Sequence, residues 1–201
     1  MSTPIQNIKA IKPAAPVNDQ EQDKSQAQLD YEEGRGYIER GEAALAAVSL
    51  HNALQGYEEE GNREGVANAL NQLGHACLQR KEYEKALNHY QRAWDICDEL
   101  NDPMSLTALS KQLVEVQKGL KNYSKALEIC FDILDTCQRN NDPQGTVATL
   151  DIIAEIYLDA GDREKAADTY KTAASIHQNF KHQKIAESYL QKAAELSSSK
   201  Y

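Results

Sequence analysis

The sequence predicts an all-α fold, a right-handed α-solenoid of stacked antiparallel helix pairs, with about four pairs and a C-terminal capping helix. Three observations predict it. The junctions fall into a forty-residue register: Gly61-Asn62-Arg63, Asn101-Asp102-Pro103, Asn141-Asp142-Pro143 and Lys181-His182-Gln183. The interiors agree in the same register, because the octet at 80–87 (Arg-Lys-Glu-Tyr-Glu-Lys-Ala-Leu) is matched at 120–127 (Leu-Lys-Asn-Tyr-Ser-Lys-Ala-Leu) and at 160–167 (Ala-Gly-Asp-Arg-Glu-Lys-Ala-Ala). Apolar residues also recur at three- and four-residue spacing, as in Ala69, Leu70, Leu73, Ala76 and Cys77, then Ala86, Leu87, Tyr90, Ala93 and Trp94. A fixed period of this length marks stacked two-helix units, each resting on its neighbours.

The elements follow in order. Residues 1–24 carry Pro4, Pro13 and Pro16 among Ala, Gln and mixed charges without sustained periodicity, and are expected to form a disordered N-terminal tail. The repeat domain then occupies 25–201. Its first helices are expected at about 26–40, 64–80, 103–119 and 143–160, and the second helices at about 43–60, 83–100, 123–140 and 163–180. Within repeats, breaks fall at Lys81-Glu82, Lys121-Asn122 and Gly161-Asp162. Between repeats, Asp102-Pro103 and Asp142-Pro143 set a capping carboxylate before a proline at the first helical position, where the missing N–H costs nothing. A last helix at about 184–198 is expected to turn Ile185, Ala186, Tyr189, Leu190, Ala193, Ala194 and Leu196 toward the stack, covering the final repeat.

Bulk properties narrow the function. The chain has 201 residues and a net charge of −9, and it lacks the clustered Lys and Arg that phosphate binding requires, so nucleic acid is not an expected partner. No apolar run approaches the roughly 18 residues of a membrane span, and no secretion signal is evident at the N-terminus; no membrane association and a cytoplasmic location are expected. Cys130 and Cys137 lie seven apart on one predicted helix, roughly 10 Å apart against a limit of roughly 7 Å for a bridge. Free thiols are the expectation.

With these residues in place the chain resembles the tetratricopeptide repeat family, in a forty-residue variant. Repeat two carries Leu70, Leu73-Gly74 and Cys77, then Ala86, Tyr90 and Ala93. Repeat three has Leu113-Val114, Gln117, Ala126, Cys130 and Ile133; repeat four has Leu150, Ile153-Ala154, Tyr157, Ala166, Tyr170 and Ala173. Repeat one keeps Gly34, Tyr37, Ala46, Leu50 and Ala53. The chain departs from the family in its longer period, against about 34 residues, and in lacking the family's early Trp and late Pro. The resemblance implies a scaffold whose first helices line a concave groove for a protein or peptide. The family's clamp for chaperone C-terminal carboxylates is not implied, since the matching columns hold Tyr31 and Arg35, Gln72, and Ala108 and Gln112, or one repeat later Asn71 and His75, Gln112, and Ala148 and Ile152.

On that geometry the partner-binding groove is expected to be lined by Tyr31 and Arg35; Asn71, His75 and Gln79; Lys111 and Glu115; and Asp151, Glu155 and Asp159. The three carboxylates at i, i+4 and i+8 repel one another by a few tenths of a kcal/mol per pair, which fits either a basic partner segment or a solvated face on which Lys111 partly offsets Asp151. Asn71, His75 and Gln79 have the neutral donors and acceptors suited to an extended peptide backbone. The column Tyr57, Cys97, Cys137 and His177 reads as packing, because repeats stack about 8–10 Å apart whereas zinc ligands converge to about 2 Å. His51, His89 and His182 read as surface residues. No phosphate loop, nucleophile elbow or His-Glu-x-x-His is present, so the chain is not expected to be an enzyme or to hold a cofactor. The expected function is an interaction scaffold or adaptor; a peptide-responsive regulatory or sensor module is the alternative.

Overall fold

The computed structural model describes residues 24–198, so all but the last residue of the expected N-terminal tail lies outside the described residues. Among the described residues every regular element is an α-helix: α1 Gln26–Glu39, α2 Ala43–Glu59, α3 Arg63–Gln79, α4 Tyr83–Glu99, α5 Pro103–Gly119, α6 Tyr123–Arg139, α7 Pro143–Asp159, α8 Arg163–Asn179 and α9 Gln183–Ser198. Consecutive helices pack on one another from α1 to α9, and α1 also touches α3. The expected bounds hold to within one residue at each end.

Helices α2 to α8 each contain 17 residues. Each link between helices has the same construction, whether inside a repeat or between repeats. In the first inter-repeat link, Glu60 N–H donates to the Gly56 carbonyl (2.9 Å), Gly61 N–H to Glu58 (3.2 Å) and Asn62 N–H to Tyr57 (2.9 Å). The last of these is the six-to-one bond of a Schellman ending. Asn62 then accepts from Val66 N–H (3.0 Å) through its own carbonyl, so the residue that closes α2 also opens α3. The middle residue of every link has a left-handed backbone: Gly41, Gly61, Lys81, Asn101, Lys121, Asn141, Gly161 and Lys181, spaced twenty apart. The forty-residue sequence repeat therefore contains a twenty-residue geometric one.

Side-chain capping is uneven. Asn62, Asp102, Asp142 and Asp162 accept from backbone N–H groups of the following turn, Asn62 from Gly65 (2.9 Å) and Asp142 from Gly145 (2.8 Å). Glu42, Glu82 and Asn122 make no such bond. Pro103 and Pro143 occupy the first helical position, as expected. The Asp102 carboxyl is held below the usual aspartate range chiefly by Ser105, and that of Asp162 chiefly by Lys165. Their contribution to stability is therefore fully present above the unfolded value of about 4 and is lost as pH falls through the lower folded values. Thermal melts taken between about pH 6 and about pH 2 should drop at the acid end, and less steeply for an Asp102→Asn, Asp162→Asn double variant. Identical acid limbs would show that these caps carry no proton linkage.

The core is a set of ladders one period apart. Ala46, Ala86, Ala126 and Ala166 are all without exposed surface, which lets the helices of each pair approach closely. Leu50, Tyr90, Cys130 and Tyr170 form the next buried rung, and Leu73, Leu113, Ile153 and Ala193 the facing one. The column Tyr57, Cys97, Cys137 is also buried, with His177 half-buried at its end. It explains small residues eight positions on: a Cβ on Gly65 would fall 2.5 Å from the Tyr57 ring, and one on Gly145 2.8 Å from Cys137 Sγ. All four cysteines are free thiols.

The capping helix departs from expectation. Ala186 and Ala193 are buried, and Tyr189 and Leu196 pack against the fourth repeat, but Ile185, Leu190 and Ala194 are exposed. Leu190 and Ala194 stand at the positions of Leu70 and Gly74, which face their own second helix, α4. Helix α9 has no such second helix among the described residues, so its stripe is only half covered. Ile185 matches Gly65 and Gly145, where a neighbouring ring or thiol leaves no room for a side chain of its size.

Candidate partner-binding face

The expected site residues all lie on the first helices of the repeats, and side chains join most neighbouring first helices directly. Between α1 and α3, Gln72 lies beside the Tyr31 hydroxyl, and Gln79 Nε2 donates to the Ile38 carbonyl (3.1 Å). Between α5 and α7, Lys118 Nζ donates to Glu155 Oε2 (3.0 Å) while also pairing with Glu115 (3.5 Å). Between α7 and α9, the Tyr189 hydroxyl donates to Asp151 Oδ2 (2.7 Å).

These contacts sort the candidates. Arg35, Lys111, Glu115, Glu155 and Asp159 are exposed, Arg35 in a loose pair with Glu39 (3.5 Å). Tyr31, Asn71, His75 and Asp151 are half-buried. His75 sets its ring edge-on to Tyr90 at 5.6 Å, and burial lowers its pKa, favouring the neutral imidazole. Burial likewise raises the pKa of Tyr31. Gln79 is exposed, but its amide is already engaged by the Ile38 carbonyl of the preceding repeat.

The acidic column is relieved differently from the expectation. Lys111 was the expected counter-charge for Asp151; the groups that meet the column are Lys118, at Glu155, and the Tyr189 hydroxyl, at Asp151. For Lys118, burial works to lower the pKa, and the Glu155 and Glu115 carboxylates outweigh it and raise it. Tyr189 is pushed up by burial and then by Asp151, so it remains a hydroxyl donor. The other oxygen, Asp151 Oδ1, is buried and accepts no hydrogen bond. The signal for Lys118 was present in the sequence, since it follows Glu115 by three residues and precedes Glu155 by one period less three. The apolar pattern turns Tyr189 toward the stack, on the rung filled by Ala69, Leu109 and Thr149, but gives no sign that its hydroxyl meets Asp151.

Among the histidines, His51 and His182 are exposed, while His89 is half-buried with its Nδ1 enclosed and without a partner, and burial lowers its pKa. It packs against His51 at 6.2 Å between α2 and α4, away from the first-helix face. No group of three or more His, Cys, Asp or Glu among the described residues could hold a metal ion. No helix among them is long and apolar enough to cross a membrane.

Comparison with known proteins places this geometry. A family model described as soluble NSF attachment protein matches residues 9–149, and one described as tetratricopeptide repeat matches residues 149–184. No curated protein matches the chain in sequence. Among solved structures, a kinesin light chain-type protein of Podosopora anserina with nearly identical TPR-like repeats superposes with a TM-score of 0.71 at 13% identity, over 88% of this chain and 90% of that one. A signal transduction ATPase with numerous domains from Pyrococcus horikoshii, carrying a tetratricopeptide repeat sensor, gives 0.73 at 14% identity over 91% of this chain and 32% of that one. A Rap protein complexed with Competence and Sporulation Factor gives 0.62 at 15% identity, over 90% and 58%. These likenesses establish the helical-repeat fold. Since the first model spans well over half of the sequence, the chain belongs to the soluble NSF attachment protein family.

Proposed function

We propose that the chain is a protein-interaction scaffold that holds a segment of a partner protein along the face formed by α1, α3, α5, α7 and α9. The observation that carries this reading is the continuity of that face: polar side chains of successive first helices stay exposed, and bonds such as Lys118 to Glu155 and Gln79 to Ile38 fix their spacing across repeats. A partner lying across several repeats draws its affinity from a few anchors, and total area matters less. The family description speaks of attachment to NSF, and one structural neighbour was solved with a bound factor, which supports association with another protein or peptide. A cytoplasmic setting belongs to the same proposal.

The acidic column favours a partner with a basic segment. Reversing Glu155 and Asp159 to lysine is expected to reduce retention of the native partner in affinity capture by at least about tenfold, the effect of losing a close charge pair. The Glu155 change also removes the Lys118 bond across repeats, so the double variant should melt somewhat lower, and Asp159→Lys alone, at an exposed position, is the control whose melt should move little while capture still falls. Undiminished capture by a folded variant would sink the groove reading.

A second reading is a peptide-responsive sensor, favoured by the tetratricopeptide repeat sensor of the Pyrococcus horikoshii neighbour. It requires the solenoid to change curvature on binding. Small-angle scattering with and without the captured partner separates the two readings, because a plain scaffold keeps its end-to-end distance.

A further inference from the structure

A cleft of about 510 Å³ opens between the first half of α7 and the C-terminal end of α8. Its lining includes Val147, Ala148, Ile176 and Phe180 together with Asp151 and Asp142, one oxygen of which also caps α7 at Gly145. Phe180 is 54% exposed, unusual for so large an apolar ring, and stacks on His182 at 6.2 Å. His177 stacks on Tyr189 at 5.4 Å, and the Nδ1 atoms of His177 and His182 lie 3.4 Å apart, so the rim is ordered by aromatic contacts. Tyr189 in turn holds one oxygen of Asp151, and the other oxygen is buried without a hydrogen bond.

Charge separates this cleft from its counterparts. Four others along the solenoid hold cations of their own: Arg139 between α5 and α6, Arg63 and Arg92 at the second repeat, Arg163 beside α9, and Lys165 near Phe131. The α7–α8 cleft has two carboxylates and neither lysine nor arginine in its lining. Two carboxylates in a largely apolar cleft leave negative charge that no lysine or arginine of the lining offsets. What fits is a long apolar stem with a flat, multiply donating cationic head.

We propose that this cleft receives an arginine side chain of the partner, its guanidinium meeting Asp151 and Asp142 and its methylene stem lying along Val147, Ala148 and Ile176 against the Phe180 ring. Arginine suits the site better than lysine because its planar head carries five donors and stacks on aromatic faces, whereas an ammonium is a compact, strongly hydrated point charge. The assignment rests on the reading of the first-helix face as the partner surface, since Asp151 belongs to both, and it anchors one end of that partner at the fourth repeat.

The test is a titration of the isotope-labelled full chain with the acetylated, amidated peptide Ala-Ala-Arg-Ala-Ala, followed by amide shifts in NMR. The expected result is saturable shifts confined to the backbone near 143–151 and 176–182, at least about tenfold weaker binding for the same peptide with citrulline in place of arginine, and weaker binding with lysine. Asp151→Asn should weaken binding comparably. Because that change also touches Tyr189, Ala148→Phe serves as the second variant: it fills the cleft from an exposed position and leaves the Asp151 to Tyr189 bond intact. Equal binding of the citrulline or lysine peptide, shifts mapping elsewhere, no shifts, or full binding by a folded Ala148→Phe protein would each overturn the arginine site. The Glu155→Lys, Asp159→Lys variant lies outside the cleft lining and should still bind the arginine peptide. Partner capture lost in that variant while the arginine peptide never binds would therefore condemn the cleft and leave the groove reading standing; the reverse pattern would do the opposite.

Discussion

Tyr90→Ala is expected to cost about 3–5 kcal/mol, the range for truncating a fully buried large aromatic side chain. Tyr90 has no exposed surface and its ring lies over Gly74, where an added Cβ would sit 2.5 Å from Cε1. Helix α3 has given up a side chain so that this ring can fill the space between the helices of repeat two, and the ring also supports His75 edge-on. Neither helix can close a gap that size, because both are fixed by short links at each end. In a solenoid each unit is stabilised by its neighbours, so a defect in an interior repeat also weakens the interfaces on either side. Urea denaturation should show a lower midpoint and a broadened or split transition. A cost below about 1.5 kcal/mol would mean that the pair collapses more readily than a close-packed interior allows. Tyr90→Phe provides the contrast. The hydroxyl is enclosed without a hydrogen-bond partner, so its removal should leave stability unchanged or raise it.

Replacing Lys81, Lys121 and Lys181 together by glycine is expected to raise stability by about 2 kcal/mol. All three have φ near +60°, at 58°, 59° and 61°. An L-residue there carries about 1–2 kcal/mol of backbone strain, which glycine removes. Glycine gives back about 0.4–1 kcal/mol by loosening the unfolded chain, leaving a net gain of about 0.5–1 kcal/mol per site. The links lie in different parts of the solenoid and share no partners, so the gains should add. The chain already makes this choice at Gly41, Gly61 and Gly161, the other unbranched solutions at the same place in the turn. The reciprocal substitution, Gly161→Lys, should destabilise by a similar amount per site. Midpoints that do not move in either direction would show that the surrounding six-to-one bonds absorb the strain.

Much of this fold was legible because the period is rigid. With Asp102-Pro103 and Asp142-Pro143 each marking a start and the octets at 80–87, 120–127 and 160–167 marking a second start, every boundary follows by adding forty, and each was placed to within one residue. The ladder of Ala46, Ala86, Ala126 and Ala166 was legible for the same reason. What escaped was whatever depended on which neighbour exists. Leu190 and Ala194 look like core residues in the sequence and are exposed because no second helix follows α9 among the described residues. Lys118 lies outside the i, i+4, i+8 column that picked out the groove, yet its long stem reaches Glu155 from an adjacent helix. Column spacing puts Lys111 one repeat before Asp151 as a partial counter-charge, whereas the group that bonds Asp151, at 2.7 Å, is the Tyr189 hydroxyl from the first helix forty residues on. The cleft beside Phe180 is assembled from parts of two helices and a link, and no linear pattern encodes it.

The double duty of residues such as Asn62, which ends one helix and begins the next, makes the chain intolerant of slippage. One additional residue inside a helix would swing all later side chains by about 100° about its axis and break register with everything already stacked. Growth by single insertions is therefore closed to this architecture, whereas copying a complete module leaves phase untouched. The molecule can lengthen in whole steps, as a screw gains threads, and its recognition surface can extend by the same increments.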